Sequence, residues 1–331
     1  MNYETLSPNR KFFIDLALKT FPDLNGQITR DQVHAITKEH NVNWPQWLCS
    51  ADNKISRKIW FFPNPNPDAV QSIIEPIVEE EDYEIEERIK ERFNAIDLCV
   101  ESATENKMRS VILSGPPGVG KSFGVTKTLE RSNCNYTFAS GRSAATGLYK
   151  LLYDNRFSNS VIVLDDIDSV FESIDALNIL KKACDRSPVR KISWLTETKF
   201  VSDEDGEEIP KSFEFEGSIV FITNIDFDEQ INKGSKMSPH FDALISRSFY
   251  INLGIKTKRE LLIRIKQVVK EEYMLRQEGL NEYEEDKILS FITDNSSKLR
   301  ELSLRMCAKL ADLYKIDSEN FEDLAKVTCF R

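Results

Sequence analysis

A chain of 331 residues, 40% hydrophobic and 30% charged, is long enough for two or three domains with buried cores. Its net charge of −10 excludes a uniformly cationic nucleic-acid-binding protein, and no apolar run reaches the roughly 18 residues of a membrane span. The six cysteines show no metal-binding spacing and the N-terminus has no apolar signal core. We therefore expect free thiols and a cytoplasmic protein without a membrane partner.

Residues 1–62 predict a small α+β module. Apolar positions in "PNRKFFIDLALKTF" and "ITRDQVHAITKEHNV" follow a helical period, with Thr29 as the expected N-cap of the second helix. The basic, strand-like "KISRKIWFF" follows, so the module resembles a winged helix. Residues 1–63 hold eight Lys/Arg and six Asp/Glu, a net charge of +2 that leaves −12 for the rest. Residues 63–79, Pro-rich and acidic, predict a linker.

Residues 80–254 predict an α/β domain. After a long acidic helix, short β-rich apolar runs alternate with helical stretches from Ser110 to about Leu253. Strands that are apolar throughout are typical of a parallel sheet sandwiched by helices. The segment "SWLTETKFVSDEDGEEIPKSFEFEG" interrupts this alternation and predicts a β-hairpin with an acidic tip at 203–208. Residues 255–331 predict a separate helical bundle.

The stretch "VILSGPPGVGKSFG" matches the phosphate-binding pattern G-x-x-x-x-G-K-S/T between a predicted strand and a predicted helix. Its glycines let backbone N–H groups converge, and the helix adds its positive N-terminal end. Lys121 supplies a cation for the β- and γ-phosphates of ATP, and Ser122 supplies a ligand for Mg²⁺. The predicted nucleotide-binding residues of this loop are Gly115, Pro116, Pro117, Gly118, Val119, Gly120, Lys121, Ser122 and Phe123.

Two later strands end in polar residues suited to the same site. "VIVLDD" ends in Asp165, expected to hold Mg²⁺ through water, and Asp166, expected to activate the attacking water. "SIVFITN" ends in Asn224, whose amide can place that water beside the γ-phosphate. Each pattern alone is typical of an ordinary strand end, but downstream of a phosphate-binding loop it favours catalysis. Asp168 lies beyond the expected strand end and is the weaker alternative to Asp166.

Three arginines are further candidates. Arg247, in "FDALISRSF", can reach the γ-phosphate of a neighbouring subunit if the chains form a ring. Arg300 and Arg305 lie on different faces of a helix in the bundle, and one of them can reach back to the phosphates. Arg305 is favoured because it stands at the start of the most regular apolar helix.

Together these residues resemble the AAA+ ATPase family, in the family's order, over residues 80–320. Gly115 to Ser122 look like its Walker A motif and Val161 to Asp166 like Walker B. The resemblance makes Asn224 the sensor 1 residue, Arg247 the arginine finger, Arg305 or Arg300 the sensor 2 residue, and the bundle the lid. The stretches "GLYKLLYDN", "VIVLDDIDSVFESIDALNILKKACD" and "FEFEGSIVFITN" look most like those of AAA+ ATPases encoded by large tailed bacteriophages. This resemblance implies that the protein is located in the host cytoplasm.

One position departs from the family pattern. Asp166 stands where the family usually has Glu, and its carboxylate reaches about 1.5 Å less far. Water activation is therefore expected to be weaker, unless the loop moves closer.

The resemblance implies a homo-oligomeric ring, with six subunits expected, whose channel loops grip a DNA or protein substrate. Arg142 is the candidate contact in "SGRSAATGLYK", whereas Tyr149 falls on a predicted helix. Basic residues beside an aromatic one in the N-terminal module can contact DNA, although a protein-docking surface fits them equally well. These residues are Lys54, Arg57, Lys58 and Trp60.

Three functions remain open. The first is an oligomeric ATPase that remodels or moves on DNA or a protein–DNA assembly. The second is an ATP-gated switch or scaffold with slow hydrolysis, and the third is a DNA-binding regulator with a structural nucleotide site.

Overall fold

The chain divides into two units, residues 1–79 and 80–331. The predicted linker falls almost entirely outside the residues whose structure is described. In this computed structural model the described residues are 3, 6–22, 24, 26–50, 53–56, 58–63, 80–195, 199–202 and 206–331.

The described part of the first unit contains two helices and a three-stranded antiparallel sheet. The middle strand of the sheet is β3, so a hairpin pairs with the short strand that precedes α2. Thr29 caps α2 as predicted, since its side chain accepts from the N–H of Gln32 while the Gln32 side chain accepts from the N–H of Thr29. In chain order the elements are α1 (Pro8–Thr20), β1 (Gln27–Thr29), α2 (Arg30–Glu39), β2 (Lys54–Ser56) and β3 (Ile59–Phe61).

The basic segment "KISRKIWFF" forms two strands where the sequence predicts one. Lys58 has a left-handed φ of 68°, which turns the chain between β2 and β3. Trp60 pairs with Ile28 on one side and Lys54 on the other, and Arg57 lies outside the described residues. Among the described residues of the unit, the fully buried side chains are Ile14, Ala17, Ile28, Val33, Ile36, Leu48 and Phe62.

A five-stranded parallel sheet is the centre of the second unit, which confirms the α/β fold class. The strand order is β12–β4–β11–β6–β5, so all five carboxyl ends lie along one edge. The central strands are apolar and buried on both faces, as the sequence predicts. The strands are β4 (Ser110–Ser114), β5 (Asn135–Ser140), β6 (Ser160–Asp165), β11 (Ser218–Thr223) and β12 (Phe249–Asn252).

Helices cover both faces of this sheet. Residues such as Leu113 and Val163 pack against α3 and α4 on one face. Residues such as Ile162 and Phe221 pack against the helices of the other face. The first face carries α3 (Asp82–Thr104) and α4 (Lys121–Arg131); the second carries α5 (Ala145–Asp154), α6 (Ile174–Ala183), α7 (Phe227–Asn232) and α8 (Ser238–Ile245).

Two nested antiparallel ladders stand between α6 and β11, where a single hairpin is predicted. Tyr149 of α5 anchors them, because its ring packs on Phe200 and Phe213 and its hydroxyl donates to the carbonyl of Pro210 at 2.9 Å. Residues 203–205 of the predicted acidic tip lie outside the described residues. The outer ladder joins β7 (Lys191–Ser193) to β10 (Ser212–Glu214), and the inner joins β8 (Phe200–Val201) to β9 (Glu208–Ile209).

The described C-terminal residues form five helices with a core of their own, which confirms the predicted helical bundle. Thr257, Asn281 and Ser303 each cap a helix by accepting a backbone N–H three residues on. The helices are α9 (Lys258–Glu271), α10 (Met274–Gln277), α11 (Glu282–Asp294), α12 (Leu304–Ile316) and α13 (Phe321–Cys329). None of the helices in the described part of the chain combines the length and apolar character needed to cross a bilayer.

Candidate nucleotide-binding site

The loop between β4 and α4 adopts backbone conformations that suit glycine. Gly118 and Gly120 have φ angles of 71° and 99°. Gly115 leaves no room for a side chain, since a Cβ there would lie 2.8 Å from Cδ1 of Leu253. Because α4 begins at Lys121, its N-terminal amides and partial positive charge lie at the loop. The predicted phosphate-binding stretch therefore forms a loop suited to an anion.

The amino group of Lys121 is buried beside this loop. Its Nζ donates to the carbonyls of Gly115 at 2.6 Å and Pro116 at 2.8 Å, and to Oδ1 of Asn224 at 2.9 Å. Burial lowers the pKa of Lys121 to about 8, although the nearby Asp166 and Asp165 favour the charged form. These three hydrogen-bond partners are all neutral oxygens, so the buried cation is suited to a negatively charged ligand.

The two predicted Mg²⁺ ligands, Ser122 and Asp165, line the same cavity. Asp165 ends β6, and the hydroxyl of Ser122 on α4 is near enough to act on the pKa of its carboxylate. Burial raises the pKa of Asp165 from its ordinary value, partly offset by the Ser122 hydroxyl. A hydroxyl and a carboxylate oxygen at one point are ligands that Mg²⁺ prefers.

Asp166 follows directly and is exposed to solvent. Its φ of 54° is left-handed, which turns the side chain away from the strand direction. Oδ1 of Asp166 accepts from Nδ2 of Asn224 at 2.9 Å. The structure thus places Lys121, Asn224 and Asp166 in one continuous row of hydrogen bonds.

Asp168, the weaker alternative to Asp166, has a different partner. The hydroxyl of Thr223 donates to its Oδ1 at 2.7 Å, and that hydroxyl accepts from the N–H of Ile225. Burial raises the pKa of Asp168 above its ordinary value, and the hydrogen bond from Thr223 offsets part of that rise. Asp168 therefore holds the end of β11, next to Asn224.

The two candidate arginines of the bundle lie in different places. Arg305, the second residue of α12, is exposed and lines the same cavity as Lys121. Its charge adds to the effect of burial in lowering the pKa of Lys121 and offsets part of the rise in the pKa of Asp165. Arg300 instead donates through Nε to the carbonyl of Phe330 at 2.8 Å. The structure thus places Arg305, and not Arg300, at the cavity that Lys121 lines.

Arg247 lies at the amino ends of the strands, at the edge of the sheet opposite to the carboxyl ends. It follows α8, its side chain donates to the carbonyl of Ala243 at 2.7 Å, and its own carbonyl accepts from the hydroxyl of Ser110. Ser110 begins β4, whereas the phosphate-binding loop follows the end of β4. A five-residue strand spans roughly 17 Å, so Arg247 is too far to serve the site of its own subunit.

The cavity that Lys121 and Arg305 line has a volume of 1090 Å³. It is also lined by Arg264 and Phe93, which the sequence did not single out as site residues. Arg264 of α9 is buried, and its guanidinium lies 3.6 Å from the centre of the Phe93 ring on α3. Burial lowers the pKa of Arg264 to about 10, so it remains charged at neutral pH. The only signal in the sequence was a cation inside the apolar run "LLIRI". Pro117 and Phe123 also line this cavity.

The predicted channel loop and basic segment are exposed in part. Arg142 is exposed, and the loop that carries it is held at Ser143, whose N–H donates to the Ser169 hydroxyl and whose carbonyl accepts from that hydroxyl. Tyr149 is fully buried, so it contacts no substrate. In the N-terminal unit, Lys54 is exposed next to its strand partner Trp60.

The residues present fit a nucleotide with Mg²⁺. The loop supplies backbone donors and a buried cation for phosphates, and the Ser122–Asp165 pair supplies hard oxygen ligands for the metal. Bound Mg²⁺ would neutralise charge on the β- and γ-phosphates.

Comparisons with known proteins agree with this geometry. Residues 111–205 match the model of the ATPase family associated with various cellular activities (AAA). An uncharacterised 36.7 kDa protein from the nrdC–mobD intergenic region of Enterobacteria phage T4 is 37% identical over 250 residues, covering 74% of this chain and 76% of that protein.

Solved structures of a Thermotoga maritima protein are also similar. They include the RuvB Holliday junction branch migration motor (TM-score 0.39, 16% identity, 73% of this chain and 68% of that chain). A proline-to-glycine mutant of RuvB gives a TM-score of 0.41 at 16% identity, with 73% and 70% covered.

The phosphate-binding loop on a parallel sheet, followed by a helical bundle, defines a P-loop nucleotide-binding protein. The chain belongs to the AAA+ ATPase family, and its relative in phage T4 agrees with the predicted phage type.

Proposed function

We propose that this protein is a Mg²⁺-dependent ATPase that works as a homo-oligomeric ring. The observation that carries the proposal is the row Lys121–Asn224–Asp166 beside the Ser122–Asp165 pair. It supports the proposal because a cation, a polar amide, a carboxylate and a hydroxyl–carboxylate pair all line one cavity. These are the groups that phosphoryl transfer to water needs.

Each residue has a distinct task in this mechanism. Lys121 binds the β- and γ-phosphates, and Asp165 and Ser122 would hold Mg²⁺. Asp166 accepts a proton from the attacking water, and Asn224 orients that water while fixing the Asp166 carboxylate. Arg305 reaches the phosphates from the bundle and so links the bundle, as a lid, to the nucleotide state.

Arg247 gives the reason to propose a ring. Its place at the far edge of the sheet supports a role at the γ-phosphate of an adjacent subunit. Head-to-tail contacts between identical subunits close into a ring when the rotation permits, and we propose six subunits.

For the substrate, we propose DNA or a protein–DNA assembly in the host cytoplasm. The basic hairpin with Lys54, Lys58 and Trp60 supports DNA contact through phosphates and stacking. Arg142 is the proposed contact of the channel loop. The relative in a phage supports the proposed location.

Turnover tests the proposal directly. We expect Mg²⁺-dependent ATP hydrolysis whose rate per subunit rises with protein concentration, because the active site needs two subunits. Lys121→Ala and Arg247→Ala should each abolish it, whereas Arg300→Ala should not. Full activity of Arg247→Ala at saturating protein would exclude the role in trans. Mass measurement with and without ATP and duplex DNA tests the ring and the substrate together.

A second candidate function is an ATP-gated switch with slow hydrolysis. The shorter Asp166 carboxylate, turned by its left-handed φ and held by Asn224, favours it. Asp166→Glu distinguishes the two candidates. If the enzyme is slow because the carboxylate falls short, this longer side chain raises kcat.

A further inference from the structure

The helical bundle holds two consecutive carbonyl groups of the phosphate-binding loop. The backbone N–H of Leu304, the first residue of α12, donates to the carbonyl of Gly118 at 2.7 Å. Nε of Arg264 on α9 donates to the carbonyl of Val119 at 3.3 Å. Two separate helices of the bundle therefore donate hydrogen bonds to neighbouring peptide groups of the loop.

These contacts fix the direction of two amide donors. In a trans peptide the N–H points opposite to the C=O of the same plane. A donor that holds the Gly118 carbonyl thus sets the N–H of Val119, and one that holds the Val119 carbonyl sets the N–H of Gly120. These N–H groups belong to the loop that is built to surround phosphate oxygens.

Arg264 is itself held rigidly. Its guanidinium stacks on Phe93 at 3.6 Å, donates to Oε1 of Gln267 at 2.8 Å and lies 3.5 Å from a carboxylate oxygen of Glu272. A buried cation costs free energy unless its donors have partners, and each of the three guanidinium nitrogens has one: Val119, Gln267 or Glu272. The planar guanidinium also matches stacking and several fixed hydrogen bonds at once, which a lysine cannot do.

The close approach of the bundle explains a glycine of the loop. A Cβ on Gly118 would lie 2.6 Å from Cβ of Ser303, the N-cap of α12. Gly118 is therefore needed for the bundle to reach the loop, in addition to its left-handed φ.

We propose that Arg264 and the N–H of Leu304 are positioning groups that orient the phosphate-binding amides of Val119 and Gly120. The inference rests on the proposed ATP binding and deepens it. The bundle then contributes to nucleotide affinity through the loop backbone, separately from any contact of Arg305 with phosphate. Movement of the bundle away from the loop releases both carbonyls and weakens nucleotide binding.

Leu304→Pro tests the backbone contact, because proline has no N–H and its Cδ occupies the place of that hydrogen, so the Gly118 carbonyl must move away. Leu304 is the first residue of α12, a position that tolerates proline, and Ser303 before it is extended at φ −160° and ψ 161°, as a residue before proline prefers. Leu304→Ala is the matched control, because it loses the side chain but keeps the N–H. We expect Leu304→Pro to bind ADP and a non-hydrolysable ATP analogue at least about ten-fold more weakly than Leu304→Ala, because losing one hydrogen bond of about 1.4 kcal/mol already gives that factor.

Arg264→Met and Arg264→Lys test the side chain, with Arg259→Met as the control on the same helix. Arg259 lies at the start of α9, where it pairs with Asp82 of α3 at 2.7 Å. We expect Arg264→Met to raise Kd and KM about ten-fold while kcat changes less, because the amides contact phosphate in both ground and transition states. Arg264→Lys should recover part of the affinity, and Arg259→Met should match the wild type.

Two outcomes overturn the inference. One is wild-type affinity in both Leu304→Pro and Arg264→Met. The other is an equal loss in Leu304→Pro and Leu304→Ala together with an equal loss in Arg264→Met and Arg259→Met. If the wild type itself binds no nucleotide, the proposed function fails and the inference fails with it, so the wild-type titration separates the two failures. Melting temperatures measured without nucleotide identify variants that fail to fold. If Arg264→Met fails to fold, Arg264→Lys provides the affinity measurement in its place.

Discussion

Nδ2 of Asn224 donates a hydrogen bond to Oδ1 of Asp166 at 2.9 Å, across the carboxyl ends of the neighbouring strands β11 and β6. The other end of the same amide accepts from Lys121. One side chain therefore joins the proposed base to the proposed phosphate-binding cation. Because the amide has one donor end and one acceptor end, its orientation is fixed by the charges on either side.

The first prediction concerns the proposed base. Asp166→Asn keeps the size of the side chain and removes its proton acceptor, so we expect kcat to fall by about 100-fold or more while ATP affinity stays within about three-fold. Asp168→Asn is the control, because that carboxylate already accepts from Thr223. Steady-state hydrolysis and nucleotide titration check both. An equal loss of kcat in the two variants would contradict the assignment to Asp166.

The second prediction uses mixed subunits. Lys121→Ala removes the binding side of the proposed shared site, and Arg247→Ala removes the side supplied in trans. In a randomly mixed ring of equal amounts, about one interface in four pairs an intact loop with an intact Arg247, so we expect about a quarter of the wild-type rate. Each variant alone should be inactive. A mixture as inactive as its components argues against complementation.

The third prediction separates the two arginines of the bundle. Arg305→Ala should lower kcat/KM for ATP by about ten-fold or more, since the side chain lines the cavity with Lys121. Arg300→Ala should leave it unchanged, since Arg300 contacts the carbonyl of Phe330. Hydrolysis at several ATP concentrations gives both values. The reverse order would assign the phosphate contact to Arg300.

The fourth prediction is a pH dependence of stability at the start of α9. Burial raises the pKa of Glu260, but hydrogen bonds from Lys256 and Arg88 outweigh it, so the pKa lies below its ordinary value. Its contribution to stability is therefore complete above that ordinary value and is lost as the pH falls through the lower, folded-state pKa.

Glu260→Gln should thus cost about 1 kcal/mol at pH 7 and progressively less towards pH 3. Glu284→Gln is the control, because Glu284 fills the same capping position in α11. We expect the Glu260 variant to lose more, because Glu260 also pairs with Arg88 of α3 at 2.8 Å. Urea unfolding across this pH range measures both. A loss from Glu260→Gln that does not change with pH would contradict the prediction.

Much of the site could be predicted from local sequence. The phosphate-binding loop needs glycines, a lysine and a hydroxyl at fixed spacing, and these act through neighbouring backbone. The apolar runs ending in Asp165 and Asn224 indicated strand ends of a parallel sheet, which all meet at one edge. Thr29 indicated the start of α2 from local sequence as well, since an N-cap depends only on the three residues that follow it.

Contacts between distant segments could not be predicted in this way. The sequence pattern around Arg300 and Arg305 left both residues as candidates for the phosphate contact. Only the packing of the bundle places Arg305 at the cavity and Arg300 at the end of the C-terminal helix. Arg264 carried no motif, because its partners Val119 and Phe93 are more than 140 residues away along the chain.

The sequence by itself therefore determined the family, the α/β fold class and the phosphate-binding loop, since each depends on short-range spacing and periodicity. The tertiary structure alone decided that Arg247 lies at the opposite edge of the sheet, and that the bundle holds the carbonyls of Gly118 and Val119. Helix and strand periods specify which face of an element is buried, but they do not specify which distant residue meets it.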